Sequence, residues 1–190
     1  MSTDAASLYT AKHHGWQRWL TVSTILIAIA ISVVDHPLKT NHAPLGIISL
    51  QLAGSAQSAR LVVYDWHPRE RLAAAFELGL DYLFLLSYSL WFFLGCRWSA
   101  SRYGRSNPTR GTLFAWLSWG AIVAGLLDCV ENVILLIFLQ SDGKSVLYPL
   151  AFWCAVVKFL LILMSIGIWI AGNFAPADEA AAPKPVPKKA

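Results

Sequence analysis

Residues Leu113–Gln140 read LFAWLSWGAIVAGLLDCVENVILLIFLQ, and this stretch decides the fold. Its only charged residues are Asp128 and Glu131, both in the second half. A helix of that length exceeds the roughly 30 Å hydrocarbon core of a bilayer. Asp128, Glu131 and Asn132 stand at i, i+3 and i+4, so they share one helical face. Ala121, Ala124 and Gly125 continue that face. Small side chains there let another helix approach closely, within the chain or in a homo-oligomer. The stretch is predicted to be a transmembrane helix carrying acid at bilayer depth.

Three further apolar stretches follow the same reading, near Trp19–Val34, Leu72–Cys96 and Tyr148–Ala171. Composition agrees: 56% of the 190 residues are hydrophobic and only 14% are charged, where a soluble domain carries about a quarter. The expected fold class is therefore all-α, an integral membrane four-helix bundle over residues 19–171. Residues 1–18 form an N-terminal cytoplasmic segment, loose over Met1–Thr10. Residues 172–190, rich in Ala, Pro and Lys, form a disordered cytoplasmic tail. Lys12 and Arg18 ahead of an apolar run with Ala28-Ile29-Ala30 resemble a signal peptide. The run continues to Val34, however, which favours a retained helix.

The net charge of +4 does not form one basic patch, so nucleic acid is not an expected partner. The basic residues instead report topology. With the N-terminus inside, Lys12, Arg18, the loop arginines Arg97, Arg102, Arg105 and Arg110, and the tail lysines are cytoplasmic. Lys39, Arg60, Arg69, Arg71 and Lys144 lie outside. Tryptophans near the span ends, Trp66 and Trp153 on the outer side among them, read as interfacial belts. Cys96, at a helix end, and Cys129 and Cys154, in apolar runs, lack CxxC spacing and read as buried thiols. Within the outer loop, Ile48, Leu52, Ala59, Val62 and Trp66 recur at helical spacing. They predict an amphipathic helix over 45–66 lying at the interface, with Gly54 its weak point.

The charges inside the spans carry the functional reading. Glu77, Asp81 and Tyr88 share a face of the second span, and Lys158 stands on the fourth beside Ala151, Ala155 and Ser165. The first span offers only the weakly polar stripe Thr21, Thr24, Ala28 and Ser32. Helical rise places Asp81, Asp128 and Lys158 about 15 Å from the outer end, with Glu77, Glu131 and Asn132 about one turn further out. Two stacked polar layers are thus predicted, the outer one serving as a gate. Each intramembrane ionisable group costs about 2.5–3.5 kcal/mol on insertion scales, so such groups mark function more often than packing. Four carboxylates face one ammonium, and a proton, a cation or water must make up the difference.

No cofactor is predicted. Carboxylates with an Asn oxygen suit a divalent cation such as Mg²⁺, Mn²⁺ or Ca²⁺, while His13, His14, His36, His42 and His67 all lie outside the spans. The first expectation is transport or binding of a proton, cation or cationic small molecule. An alternative is a membrane enzyme acting on a lipid or isoprenoid, with the acids as general acid or base and Lys158 steadying an anion. Another is a structural or assembly subunit of a membrane complex.

Leu52-Ala53-Gly54 with Trp66, Asp81-Tyr82-Leu83-Phe84 with Tyr88, Asp128-Cys129-Val130-Glu131-Asn132 and Lys158-Phe159 together resemble a group of small bacterial four-helix membrane proteins of unassigned function. The match runs from the outer loop to the fourth span. The resemblance implies that these polar positions belong together and that the bilayer is a bacterial inner membrane. It also implies an acid where this chain has Gln51.

Overall fold

The computed structural model describes residues 3–141 and 146–174, with side chains from Gly15 onward. The expected tail from Ala175 and the His13-His14 side chains lie outside the described residues. Among the described residues every regular element is helical: α1 (Thr3–Asp35), a 3₁₀ turn (His36–Leu38), α2 (Ile47–Gln51), α3 (Ala56–Asp65), α4 (Pro68–Ser106), α5 (Pro108–Leu117), α6 (Trp119–Gln140) and α7 (Tyr148–Asn173). Four stretches are long and apolar enough to cross a membrane, Gly15–Leu38, Pro68–Ser106, Pro108–Gln140 and Tyr148–Asn173. These fit a membrane protein.

The helices overrun the expected spans. α1 begins at Thr3, so residues 3–10 of the segment expected to be loose are helical. α4 has 39 residues and spans about 58 Å, far more than a bilayer core. Its last turns carry Arg97, Arg102 and Arg105, and α5 carries Arg110. The arginines read as a loop are therefore helical, and the chain turns only at Asn107. There Asn107 Oδ1 caps α5 by accepting from the Arg110 amide at 3.0 Å, and Pro108 stands at the first helical position. Cys96 is mid-helix and fully buried, its thiol donating to the Ser165 carbonyl.

α4 is the hub. α6 and α7 pack on it and on each other, while α1 packs chiefly on α4. Small residues allow the close approaches. Ala121, Ala124 and Gly125 are buried, and a Cβ on Gly125 would sit 3.0 Å from Ser89 Cβ, so the small face of α6 is spent on α4. Further along α4, a Cβ on Gly172 would overlap the Ser99 hydroxyl. α1 is tied to α4 by hydroxyls rather than by a deep apolar seam. Ser87 Oγ lies 2.7 Å from Thr24 Oγ1 and 2.9 Å from Ser23 Oγ, and Trp91 Nε1 donates to Thr21 Oγ1 at 2.8 Å.

The outer loop is not one helix. Gly54, at φ 76°, ends the first piece, and Ser55 starts the second by accepting from the Ser58 amide at 3.1 Å. Splitting the run lets both pieces turn apolar faces onto the helix ends. Leu38, Ile47, Leu50, Val62, Val63 and Trp66 join Leu78, Leu135, Phe138 and Tyr148 in one core. Trp66 is 1% exposed and donates from Nε1 to the Leu38 carbonyl at 2.9 Å, so it is a core anchor and not a belt residue. Tyr148 OH donates to the Leu50 carbonyl at 2.6 Å and pins α2 to α7. Trp153, by contrast, is exposed.

Two acids shape this cap. Asp35 Oδ1 accepts from the Ile47 amide at 2.7 Å. Gly46 makes that contact possible: its φ of 60° is a glycine conformation, and a Cβ there would collide with the Asp35 carboxylate. Asp65 Oδ2 accepts from His42 Nδ1 at 2.7 Å and from Thr40 Oγ1 at 3.0 Å. The His42 bond, against a smaller effect of burial, holds the Asp65 carboxyl below its ordinary value. A folded-state value below the unfolded one means stability present above about pH 4, the unfolded value. That stability is lost as pH falls through the lower folded value. The melting-temperature difference between the protein and Asp65→Asn should therefore be full at pH 6 and vanish at the acid end of a pH series. A difference independent of pH would contradict this role for Asp65.

Candidate functional site

α4, α6 and α7 bring their charged faces together. Lys158 Nζ lies 2.7 Å from Asp128 Oδ1 and 2.7 Å from Glu131 Oε2, and all three side chains are at most 4% exposed. Tyr88 OH donates to the other Asp128 oxygen at 2.9 Å. Asn132 Nδ2 donates to Asp81 Oδ2 at 2.7 Å. The two expected layers are therefore interlocked: Lys158 bridges Asp128 and Glu131 across them, and Asn132 reaches Asp81 across them. The reason is helical pitch. Residues three and four apart are one turn apart in height, and a long flexible ammonium stem covers that distance.

A cavity of about 250 Å³ opens beside this cluster, beneath α2 and between α1 and α7. Glu77, Asp81, Tyr88, Asp128 and Lys158 line it, together with Asp35 and Gln51. Glu131 and Asn132 do not: both are fully buried behind it, holding the inner faces of Lys158 and Asp81 rather than forming an outer gate. Glu77 is 2% exposed, and neither of its carboxylate oxygens has a hydrogen-bond partner. Glu131 Oε1 and Asn132 Oδ1 are likewise buried without partners. Lys158 is thus committed to Asp128 and Glu131, and Lys39 stands 3.8 Å from Asp35, which leaves Glu77 and Asp81 as the cavity acids without an ion pair among the described residues.

Asp35 and Gln51 were missed by the sequence reading. Asp35 had a signal, since Ala28, Ser32 and Asp35 continue the polar stripe of α1 at helical spacing, and all three line the cavity. Gln51, read with the loop, is buried and lines the cavity. Among the described residues no three His, Cys, Asp or Glu side chains are gathered as a metal site.

These features define the class: a multi-helix chain fit for a membrane, with a buried Asp/Glu/Lys cluster beside a capped cavity. Comparison with protein-family models, curated proteins and solved structures returns no match.

Proposed function

We propose that the chain is a four-helix bundle of the bacterial inner membrane, with both termini cytoplasmic and α2–α3 capping it at the outer interface. Its function on this reading is to bind, and pass across the bilayer, a proton, a cation or a cationic small molecule. The arginines on the last turns of α4 and on α5 lie at the end away from the cap, which supports that orientation. One observation carries the functional part. Glu77 is buried with both oxygens bare and shares a cavity with Asp81, while Lys158 is already engaged by two other acids. An uncompensated buried carboxylate is costly, and a positively charged occupant removes the cost. Asp81 would receive the cation beside Glu77, with Asn132 fixing its orientation. Asp128, Glu131, Lys158 and Tyr88 would form the rigid wall.

The test is a thermal-shift series on purified protein over pH, EDTA, divalent cations and ammonium compounds. A ligand at 100 times its Kd stabilises by about 2.7 kcal/mol. The active condition should raise the melting temperature of the protein. Glu77→Gln and Asp81→Asn should fold at least as stably without ligand and lose that response. An undiminished response in both variants would remove the basis of the reading.

A further inference from the structure

The cavity has two unlike halves. Asp35, Glu77 and Asp81 give it acidic groups, whereas Ile31 on α1 and Phe159 and Ile162 on α7 form apolar walls along its α1–α7 side. α1 and α7 face each other across it but barely pack together, because α1 is held through α4. The remaining side of the cavity is therefore a slot between two membrane helices. Ala28 and Ser32 keep its α1 edge small. A hydrated inorganic cation has no use for such walls, since stripping its water against Ile31 and Ile162 gains nothing. An amphiphile uses both halves.

Resting on the cation-binding reading above, we infer that the occupant is a bilayer-dissolved aliphatic amine, entering sideways between α1 and α7 with its ammonium head toward Glu77 and Asp81. A primary ammonium carries three N–H donors and no acceptor. Glu77 offers two partnerless buried oxygens, and Asp81, which shares hydrogen bonds with Asn132 and Asp128, lines the same cavity. Glu77 is thus the principal acceptor for the head. The cavity volume of about 250 Å³ equals roughly eight waters at ~30 Å³ each, enough for a head and the first carbons of a chain. The rest of the chain would lie in the slot and in lipid. Tyr88, Phe84 and the Asp128–Lys158 pair close the far wall, so the slot ends at the cluster.

The experiment uses the full chain in lipid nanodiscs and three probes: dodecylamine, butylamine and dodecanol. Dodecylamine should raise the melting temperature, while butylamine at the same bulk concentration and dodecanol should not. Glu77→Gln should weaken the dodecylamine response by about 10–100-fold in concentration, the scale of hydrogen bonds to a charged group. Ala28→Trp, which fills the slot from the peripheral helix, should abolish it, and melting without probe checks that the variant is folded. Equal responses to butylamine and dodecylamine would overturn the amphiphile and leave the cation reading standing. Equal responses to dodecanol and dodecylamine would overturn the role of the acids as well. A dodecylamine response that survives Ala28→Trp would overturn entry through the slot. No response to either amine would overturn this inference, and the cation reading would then stand or fall on its own pH and cation series.

Discussion

Replacing Lys158 by Met should destabilise the protein by about 3–5 kcal/mol, the usual cost of breaking a buried ion pair from one side. Met keeps an unbranched apolar stem and removes the charge. It leaves Asp128 and Glu131, which met at the same Nζ atom at 2.7 Å each, as two buried acids with no cation between them. Tyr88 can donate only to Asp128, and Glu131 Oε1 has no partner even in the intact cluster. Repulsion and desolvation then act together, and unfolding in a mixed-micelle denaturant series should begin much earlier. Adding Asp128→Leu and Glu131→Leu to Lys158→Met should recover most of the loss, because apolar residues of similar volume replace a buried ion set at little or no net cost. If Lys158→Met unfolds like the parent protein, the cluster is not a desolvated ion set, and the charge imbalance facing the cavity loses its meaning.

That imbalance was legible early, and the reason is periodicity. Asp128, Glu131 and Asn132 fall on one face by spacing alone, as do Glu77, Asp81 and Tyr88, so convergence was a reasonable expectation for apolar helices. Which acid takes the lysine and which faces the cavity depends on the rotation and height of each helix relative to its neighbours. Local spacing does not encode that. Hence Glu131 and Asn132, expected at the gate, stand behind the cluster, while Asp35 and Gln51, filed with the loop, line the cavity. The cap shows the same limit. Gly54 marked the break between α2 and α3, but a Trp at a span end is equally suited to a lipid interface or to a core. Only the tertiary contact of Trp66 with Leu38 decides between them.

The role of Trp66 leads to the other large effect. Trp66→Ala should cost about 3–5 kcal/mol, the range for deleting a large buried aromatic, and should do so by detaching the cap rather than by melting the spans. Trp66 stands in the core that joins the cap to the long helices and ties the end of α3 to the Leu38 carbonyl, and α2 depends on that core together with Tyr148 and Asp35. The outer ends of α4, α6 and α7 share the Trp66 core, but further along these helices pack through a second cluster around Leu85, Tyr88, Phe92, Ala121 and Ala124, which the substitution does not reach. Tryptic cleavage after Arg60, which requires α3 to unwind, should accelerate sharply, while far-UV helicity falls only by the share of the short helices. Trp66→Phe should keep most of the packing and lose the indole hydrogen bond, worth about 0.5–1.5 kcal/mol. Unchanged cleavage in Trp66→Ala would mean that α3 is held by something other than its tryptophan. Accelerated cleavage with an intact Lys158 cluster would establish that the cap and the charged wall are separable. The cap could then open over Glu77 and Asp81 while the ion set beneath it stays fixed.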